Sequence, residues 1–142
     1  MIMRKYLRTS PTWASLPLRI VLGSAMFVHG AQKVMGIWGG RGFNAWISGP
    51  PPFAFMKPAS LWLGIAAFSE FLGGILIIIG LLTRPAAFMV ACTMLTAVVG
   101  VHWEHGFLLS NNGFEYAGSL LGIAISLIIL GGGNGSLDQR LG

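Results

Sequence analysis

Four apolar runs constrain this chain more than any other feature of its sequence. We expect them to form helices over 16–36, 59–82, 85–103 and 114–131. Each run is close to the roughly 20 residues that an α-helix needs to cross the core of a bilayer. The strands of a membrane barrel would instead alternate apolar and polar residues in shorter segments. The sequence therefore predicts an all-α protein, an integral membrane four-helix bundle.

The composition agrees with a membrane location. Only 9% of the residues are charged, 54% are hydrophobic, and the mean hydropathy is +0.74. A soluble domain carries about 25% charged residues, so this chain has too few polar groups to cover a surface that faces water. We therefore predict a single transmembrane domain over 1–142 whose main partner is the lipid bilayer.

The basic residues indicate an orientation rather than a nucleic-acid surface. The net charge is +5, but the charges flank the apolar runs and form no dense patch, which excludes nucleic acid as a partner. Short connections favour an up-down-up-down bundle, and that topology divides the basic residues unequally between the two sides. One side holds Arg4, Lys5, Arg8, Arg19, Arg84 and Arg140, and the other holds Lys33, Arg41 and Lys57. The positive-inside rule then places both termini in the cytoplasm.

The long loop 37–58 lies on the outer side in this topology and is rich in glycine, proline and aromatic residues. Two interpretations of its aromatic residues stay open. Trp38 and Trp46, together with Trp62 and Trp103, fit an aromatic belt at the membrane interface. Alternatively, the loop folds over a site as a lid.

Glu70 is the one carboxylate inside an otherwise apolar run. It lies about eleven residues below the outer start of the second helix, which is roughly 16 Å and close to the midplane of the bilayer. An unpaired carboxylate at that depth would protonate, because desolvation disfavours its charged form. His29, about 10 Å below the outer end of the first helix, is the expected partner. Ionisable residues at membrane depth are functional by default, so we expect the two to form a proton relay.

Small and polar residues form a stripe along three of the predicted helices. Residues three or four apart share a helix face, and small residues let two helices approach closely. We therefore predict that all three stripes face the interior of the bundle. They comprise Met26, His29, Gln32 and Lys33 on the first helix, Ala66, Ala67, Glu70, Gly73 and Gly74 on the second, and Glu115, Gly118, Ser119, Gly122 and Ser126 on the fourth.

The sequence gives little indication of metal, haem or cysteine chemistry. His102 and His105 share a face and, with Glu115, are weak metal candidates, but the repeated Glu-x-x-His pattern of di-iron bundles is missing. Haem held between His29 and His102 has no supporting geometry, so we predict neither metal nor haem nor any covalently bound cofactor. Cys92 is the single cysteine, which excludes an internal disulfide and a Cys-x-x-Cys redox pair.

Several segments together resemble the DoxX family of small bacterial membrane proteins. They are LRIVLGSAMFVHGAQKVMG, FSEFLGGILIIIGLLTR, GFEYAGSL and LGGGNGSLD, with Met94, Leu95 and the stretch 97–102 between them. The resemblance implies a four-helix bundle in the bacterial inner membrane. It also implies a link to thiosulfate:quinone oxidoreductase and redox-homeostasis complexes. The matching residues are Arg19, His29, Gly30, Gln32, Lys33, Glu70, Gly73, Gly74, Thr83, Arg84, His102, Glu115 and Asp138.

Two hypotheses about function follow. In the first, the chain is the membrane subunit of a redox complex and contacts a quinone, with electrons supplied by a membrane or periplasmic redox protein. Glu70 and His29 relay protons from the outer side, and the quinone or small-molecule site draws on His29, Gln32, Lys33, Glu70, His102 and Glu115. In the second, the chain is a structural or assembly subunit of a larger membrane complex and has no chemistry of its own.

Overall fold

The computed structural model describes residues 7–142, which form helices and connecting turns without a β-strand. The helices are α1 Ser15–Val34, α2 Phe43–Ile47, α3 Ala59–Ile79, α4 Thr83–Ala97, α5 Glu115–Leu130 and α6 Leu137–Leu141. The predicted all-α class is therefore confirmed. Arg4 and Lys5, which entered the prediction of topology, lie outside the described residues.

The four long helices occur where the apolar runs predict them. α3 ends at Gly80, whose left-handed conformation (φ 70°) closes the helix, and Pro85 lies in the first turn of α4. α4 continues through a π-helical turn, Val98–His102, and a 3-10 turn, Trp103–His105. The two short helices, α2 in the outer loop and α6 near the C-terminus, were not predicted.

Two helices in residues 7–142 are long and apolar enough to cross a membrane, as judged by length and composition. They are Ala59–Ile79 and the continuous rod Thr83–His105. α5 is a shorter apolar helix. α1 has 20 residues and carries Arg19, His29, Gln32 and Lys33, which reduce its apolar character.

Glycine residues let α1 and α3 pack very closely, and this is the most extensive helix pair in the molecule. A Cβ atom added to Gly74 would lie 2.5 Å from the Phe27 nitrogen, and one added to Gly23 would lie 3.0 Å from the Gly74 oxygen. Gly73 faces the other way, toward Val90 of α4. The predicted small-residue interface around Glu70 is therefore confirmed.

The predicted inward stripe on α5 is wrong. The buried residues of α5 are Ala117, Leu120, Ala124 and Leu127, whereas Ser119 and Gly122 are exposed on the opposite side. Alanine and leucine fill the core against α4, and the serine hydroxyls donate to carbonyls one turn back in their own helix, Ser119 Oγ to Glu115 O at 2.7 Å. A hydroxyl bonded in this way needs no partner on another helix, so nothing draws the stripe inward.

At the end of the bundle where α3 turns into α4, Arg19 is buried among backbone carbonyls. Its guanidinium donates to Ile77 O and Ile78 O at the end of α3 and to Gly132 O beyond α5, at 2.9–3.1 Å. Asp138 of α6 accepts hydrogen bonds from Leu82 N (2.7 Å) and Thr83 N (2.9 Å), and so caps the start of α4. The C-terminal segment is therefore part of the folded bundle.

Candidate functional site

Glu70 forms an ion pair with Lys33. The Lys33 ammonium donates to Glu70 Oε2, and in residues 7–142 this is the one salt bridge. The two side chains are 19% and 3% exposed, so the carboxylate is almost fully buried and the ammonium retains some contact with the outside. No other described residue donates to the Glu70 carboxylate, which leaves Oε1 available as an acceptor.

The prediction that His29 pairs with Glu70 is wrong. His29 lies one turn before Lys33 on α1, and its Nε2 lies 3.5 Å from the hydroxyl of Tyr116 on α5. The two rings meet edge to face with centroids 6.0 Å apart. Lys33 reaches Glu70 because its side chain is long and its charge is opposite, whereas the rotation of α1 turns His29 toward α5.

A cavity of about 550 Å³ lies beside the ion pair, between the first half of α3 and the second half of α4 with the π-helical turn that follows it. Its lining is mostly apolar, and Lys33 and Glu70 are the only charged residues that line it. The volume falls in the range of about 300–1,000 Å³ that small-molecule sites occupy, and an apolar wall with a few converging polar groups is their usual character. The cavity is therefore the candidate binding site.

The outer loop forms the roof of the cavity. Trp46 of α2 donates from Nε1 to Leu63 O at 2.9 Å, and its ring centroid lies 4.5 Å from the Lys33 ammonium. Farther along the loop, Pro52 packs so closely on α4 that a Cβ atom added to Gly100 would lie 2.9 Å from it. The interpretation of this loop as a cover over a site therefore describes Trp46 and 50–52, while Trp38 and Trp103 stay exposed at the outer rim.

The remaining predicted site residues lie outside the cavity. Gln32 Nε2 donates to Trp38 O at 3.1 Å and so fixes the beginning of the outer loop. His102 Nδ1 lies 2.8 Å from Asn112 O. Glu115 Oε2 accepts from Leu109 N at 2.9 Å, so its carboxylate stabilises the hairpin between α4 and α5. Of the six predicted binding residues, the structure brings Lys33 and Glu70 together at the cavity.

The weak metal candidates do not converge. Within residues 7–142, no three His, Cys, Asp or Glu side chains are placed to hold one metal ion together. His105 is exposed in the 3-10 turn after His102, while Glu115 bonds backbone on the other side of the hairpin.

Sequence reasoning missed three parts of the site. The ring of Trp46 covers the ammonium, the proline run 50–52 closes the roof, and Thr93, Thr96 and Cys92 form the α4 wall. The loop residues could have been found from the sequence, because a loop rich in glycine, proline and aromatic residues suggested a lid. The threonines could not have been found in this way. A threonine in an apolar helix commonly forms a hydrogen bond with its own backbone, as Thr96 does with Cys92 O.

These features define a class of small helical bundle in which two of the long helices are apolar enough for a bilayer and one ion pair borders an apolar cavity. Comparison with known families makes the assignment specific. The DoxX family matches residues 14–103, and this chain belongs to the DoxX family, which is membrane-associated. The matched region includes both members of the ion pair, whereas α5 and Asp138 lie beyond it.

Two relatives extend the comparison. The chain is 33% identical over 113 residues to a Bacillus subtilis protein named "Putative oxidoreductase CatD", an alignment that spans 80% of this chain and 77% of that protein. It is 31% identical over 127 residues to an uncharacterized protein of Haemophilus influenzae, spanning 89% of this chain and 82% of that protein. No solved structure shows significant similarity to the chain.

Proposed function

We propose that this protein is the membrane subunit of a bacterial redox complex and that the cavity beside Lys33 and Glu70 holds the head of a quinone. Membership of a membrane-associated family and the name of the Bacillus subtilis relative support a role connected with redox chemistry. The observation that carries the proposal is the cavity itself, an apolar chamber with one ion pair in its wall.

The residues present fit a quinone head. A quinone presents two carbonyl acceptors on a flat ring, and Lys33 supplies a donor of the required kind at the cavity wall. Glu70 retains a free acceptor for a quinol hydroxyl in its ionised form and becomes a donor when it is protonated. Trp46 and Trp62 add flat apolar surface on which such a ring packs well. A bound quinone would supply two-electron chemistry, with the electrons exchanged with a partner redox protein.

Glu70 is the residue to which we assign proton transfer. It is almost fully buried, it lines the cavity, and its one donor among the described residues is the partly exposed Lys33. Lys33 lies in the last turn of α1, at the outer end of the helix. Protons therefore have a short route between the outer surface and the carboxylate along this pair. His29 faces Tyr116 instead, so we place it outside this route.

The proposal includes a location and an orientation. We place the protein in the bacterial inner membrane with four spans, formed by α1, α3, the rod that begins with α4, and α5. Both termini then lie in the cytoplasm and the cavity lies in the outer half. The excess of basic residues on the side of the termini supports this orientation.

An assembly role without chemistry is the second candidate, and the outward stripe on α5 favours it. Exposed Gly122 and Ser119 on an apolar helix are the kind of residues through which membrane helices contact one another. In this alternative the Lys33–Glu70 pair fastens α1 to α3 and no more.

The experiment is to purify the tagged protein from its native membrane in lipid particles and to identify the proteins and quinones that accompany it. A redox protein together with stoichiometric quinone is the expected result. Glu70→Gln should then lose quinone oxidoreduction while the complex still assembles, and Glu104→Gln, which changes an exposed carboxylate, should retain it. A large assembly with neither quinone nor redox protein, and with Glu70→Gln indistinguishable from wild type, would establish the assembly role.

A further inference from the structure

The loop between α1 and α3 covers one side of the cavity. The loop is fastened to α3 through the Trp46 hydrogen bond to Leu63 O and rests on α4 at Gly100 through Pro52 and Phe53. Prolines 50–52 and Met56 line the cavity from this side. A ligand that entered through the loop would have to displace these contacts.

The open side of the cavity lies between α3 and α4. Its exposed lining residues are mostly on these two helices: Trp62 and Ile65 on α3, and Cys92 and Val101 on the rod that begins with α4, with Pro50 at the edge of the loop. At the back, Lys33 and Glu70 are mostly covered, and toward the inner end the two helices meet where Gly73 faces Val90. The mouth is therefore a lateral gap between two helices.

The depth of the mouth decides what it faces. Ile65 lies six residues below the outer start of α3, which is about 9 Å along the axis. Cys92 lies nine residues above Thr83, about 14 Å from the inner end of the rod Thr83–His105. Both helices are long and apolar enough to cross a bilayer, so these positions fall within the roughly 30 Å hydrocarbon core.

We propose that the cavity is loaded from the bilayer through the gap between Ile65 and Cys92, so that its ligand is a membrane-dissolved amphiphile. The polar head lies against Lys33 and Glu70, and the apolar tail leaves through the gap into lipid. This inference rests on the proposed function, because a prenylated quinone is the amphiphile that the site is assigned. It adds the route of access and the requirement for a tail.

The single cysteine provides a native reporter in the mouth. In lipid vesicles, Cys92 should react with the lipid-soluble N-ethylmaleimide at least about tenfold faster than with a charged, impermeant thiosulfonate, because charge is excluded from hydrocarbon. Decylubiquinone, a fully substituted quinone with a tail, should slow labelling by about fivefold or more at saturation, whereas tailless duroquinone should protect less. Neither quinone has a free ring position for the thiol to attack.

Two matched variants test the gap directly. Ile65→Trp fills the mouth with a larger side chain at an exposed position, so the fold should be retained, and protection by decylubiquinone should be lost. Ile125→Trp makes the same exchange at an exposed position of α5 that does not line the cavity, and protection should persist. The ratio of labelling rates with and without quinone is compared within each variant, which cancels any direct effect of the tryptophan on the thiol.

The outcomes separate this inference from the proposed function. Equal protection by duroquinone and decylubiquinone, undiminished in Ile65→Trp and accompanied by fast labelling with the charged reagent, would overturn access from lipid and leave a quinone site standing. Protection by decanol as strong as that by decylubiquinone would support the lateral mouth and overturn the assignment of a quinone. An absence of protection by any of these compounds would overturn both.

Discussion

Two cationic side chains lie at opposite ends of α1, and their surroundings differ in one decisive respect. Arg19 is buried and enclosed by the carbonyls of Ile77, Ile78 and Gly132, and it does not line the cavity beside Glu70. Lys33 has one carboxylate and one aromatic ring as partners, and it lines a cavity of about 550 Å³. Both side chains carry the cost of removing a charge from water. In the function proposed above, the first therefore holds the bundle together and the second is available to a ligand.

The carboxylates near the two ends of α1 also differ in how they are bonded. Asp138 uses both carboxylate oxygens to bind the backbone nitrogens of Leu82 and Thr83. Glu70 uses one oxygen among the described residues and retains the other. Glu70 also lines the cavity, so in the function proposed above its second oxygen is available to a ligand.

The largest expected effect is on stability at the inner end. Arg19→Met should lower the free energy of unfolding by about 3–5 kcal/mol. Several charge-assisted hydrogen bonds are lost, and the carbonyl oxygens that accepted them stay buried without a donor. Thermal unfolding in one detergent gives the comparison, with Arg41→Met as the control at an exposed arginine. If Arg19→Met lost no more stability than Arg41→Met, the distinction between the two ends of α1 would be contradicted.

The second effect is on activity at the outer end. Glu70→Gln should lower quinone turnover of the purified complex by about 100-fold, equivalent to about 2.7 kcal/mol, since a glutamine cannot exchange a proton. Its unfolding midpoint should change less than that of Arg19→Met, because glutamine still accepts a hydrogen bond from Lys33. Turnover is measured with the donor protein that copurifies, and Glu104→Gln serves as the control. Turnover near the wild-type rate would show that Glu70 is structural.

A smaller effect is expected at the start of α4. Asp138→Ala should cost about 2 kcal/mol of stability, because it leaves the Leu82 and Thr83 nitrogens without their acceptors. Quinone binding should be unchanged, since Asp138 and the cavity lie at opposite ends of the bundle. The unfolding curve and a quinone titration are measured on the same preparation, beside Arg140→Ala, an exposed arginine in the same helix. Loss of binding without loss of stability would contradict the structural role.

The smallest effect concerns the roof. Trp46→Leu should weaken quinone affinity by about fivefold, or about 1 kcal/mol, because the Lys33 ammonium loses its aromatic neighbour and Leu63 O loses a donor. Trp46→Phe keeps a ring and should fall between leucine and wild type. The measurement is a titration of decylubiquinone by quenching of the remaining tryptophans. An affinity unchanged in both variants would show that the ring does not contribute to the site.

The sequence alone identified Glu70, the class of fold and the positions of the long helices, because each rests on a local property. An isolated carboxylate in an apolar run, a run of about 20 apolar residues and the glycines beside Glu70 are all visible in the chain itself. The partner of Glu70 was not visible in that way. His29 and Lys33 are one turn apart on the same helix, and a small rotation or shift of α1 decides which of them meets α3.

The wrong prediction at α5 and the unpredicted contact at the C-terminus have the same origin. The stripe that includes Ser119 and Gly122 resembles an interface, but the serines bond within their own helix and the leucine side of α5 fills the core. The contact of Asp138 with Leu82 joins residues 56 positions apart, and no local sequence pattern predicts it. The sequence predicts where helices form, but it does not predict which distant residues come into contact.

The most direct test of the account is the amount of quinone retained by the protein in lipid particles, compared between Glu70→Gln and Asp138→Ala. The account predicts close to one quinone per chain in wild type and in Asp138→Ala, and at least about a fivefold loss in Glu70→Gln, because one carboxylate contacts the ligand and the other contacts only backbone. Equal retention in the two variants, equal loss in both, or wild-type protein without quinone would contradict it.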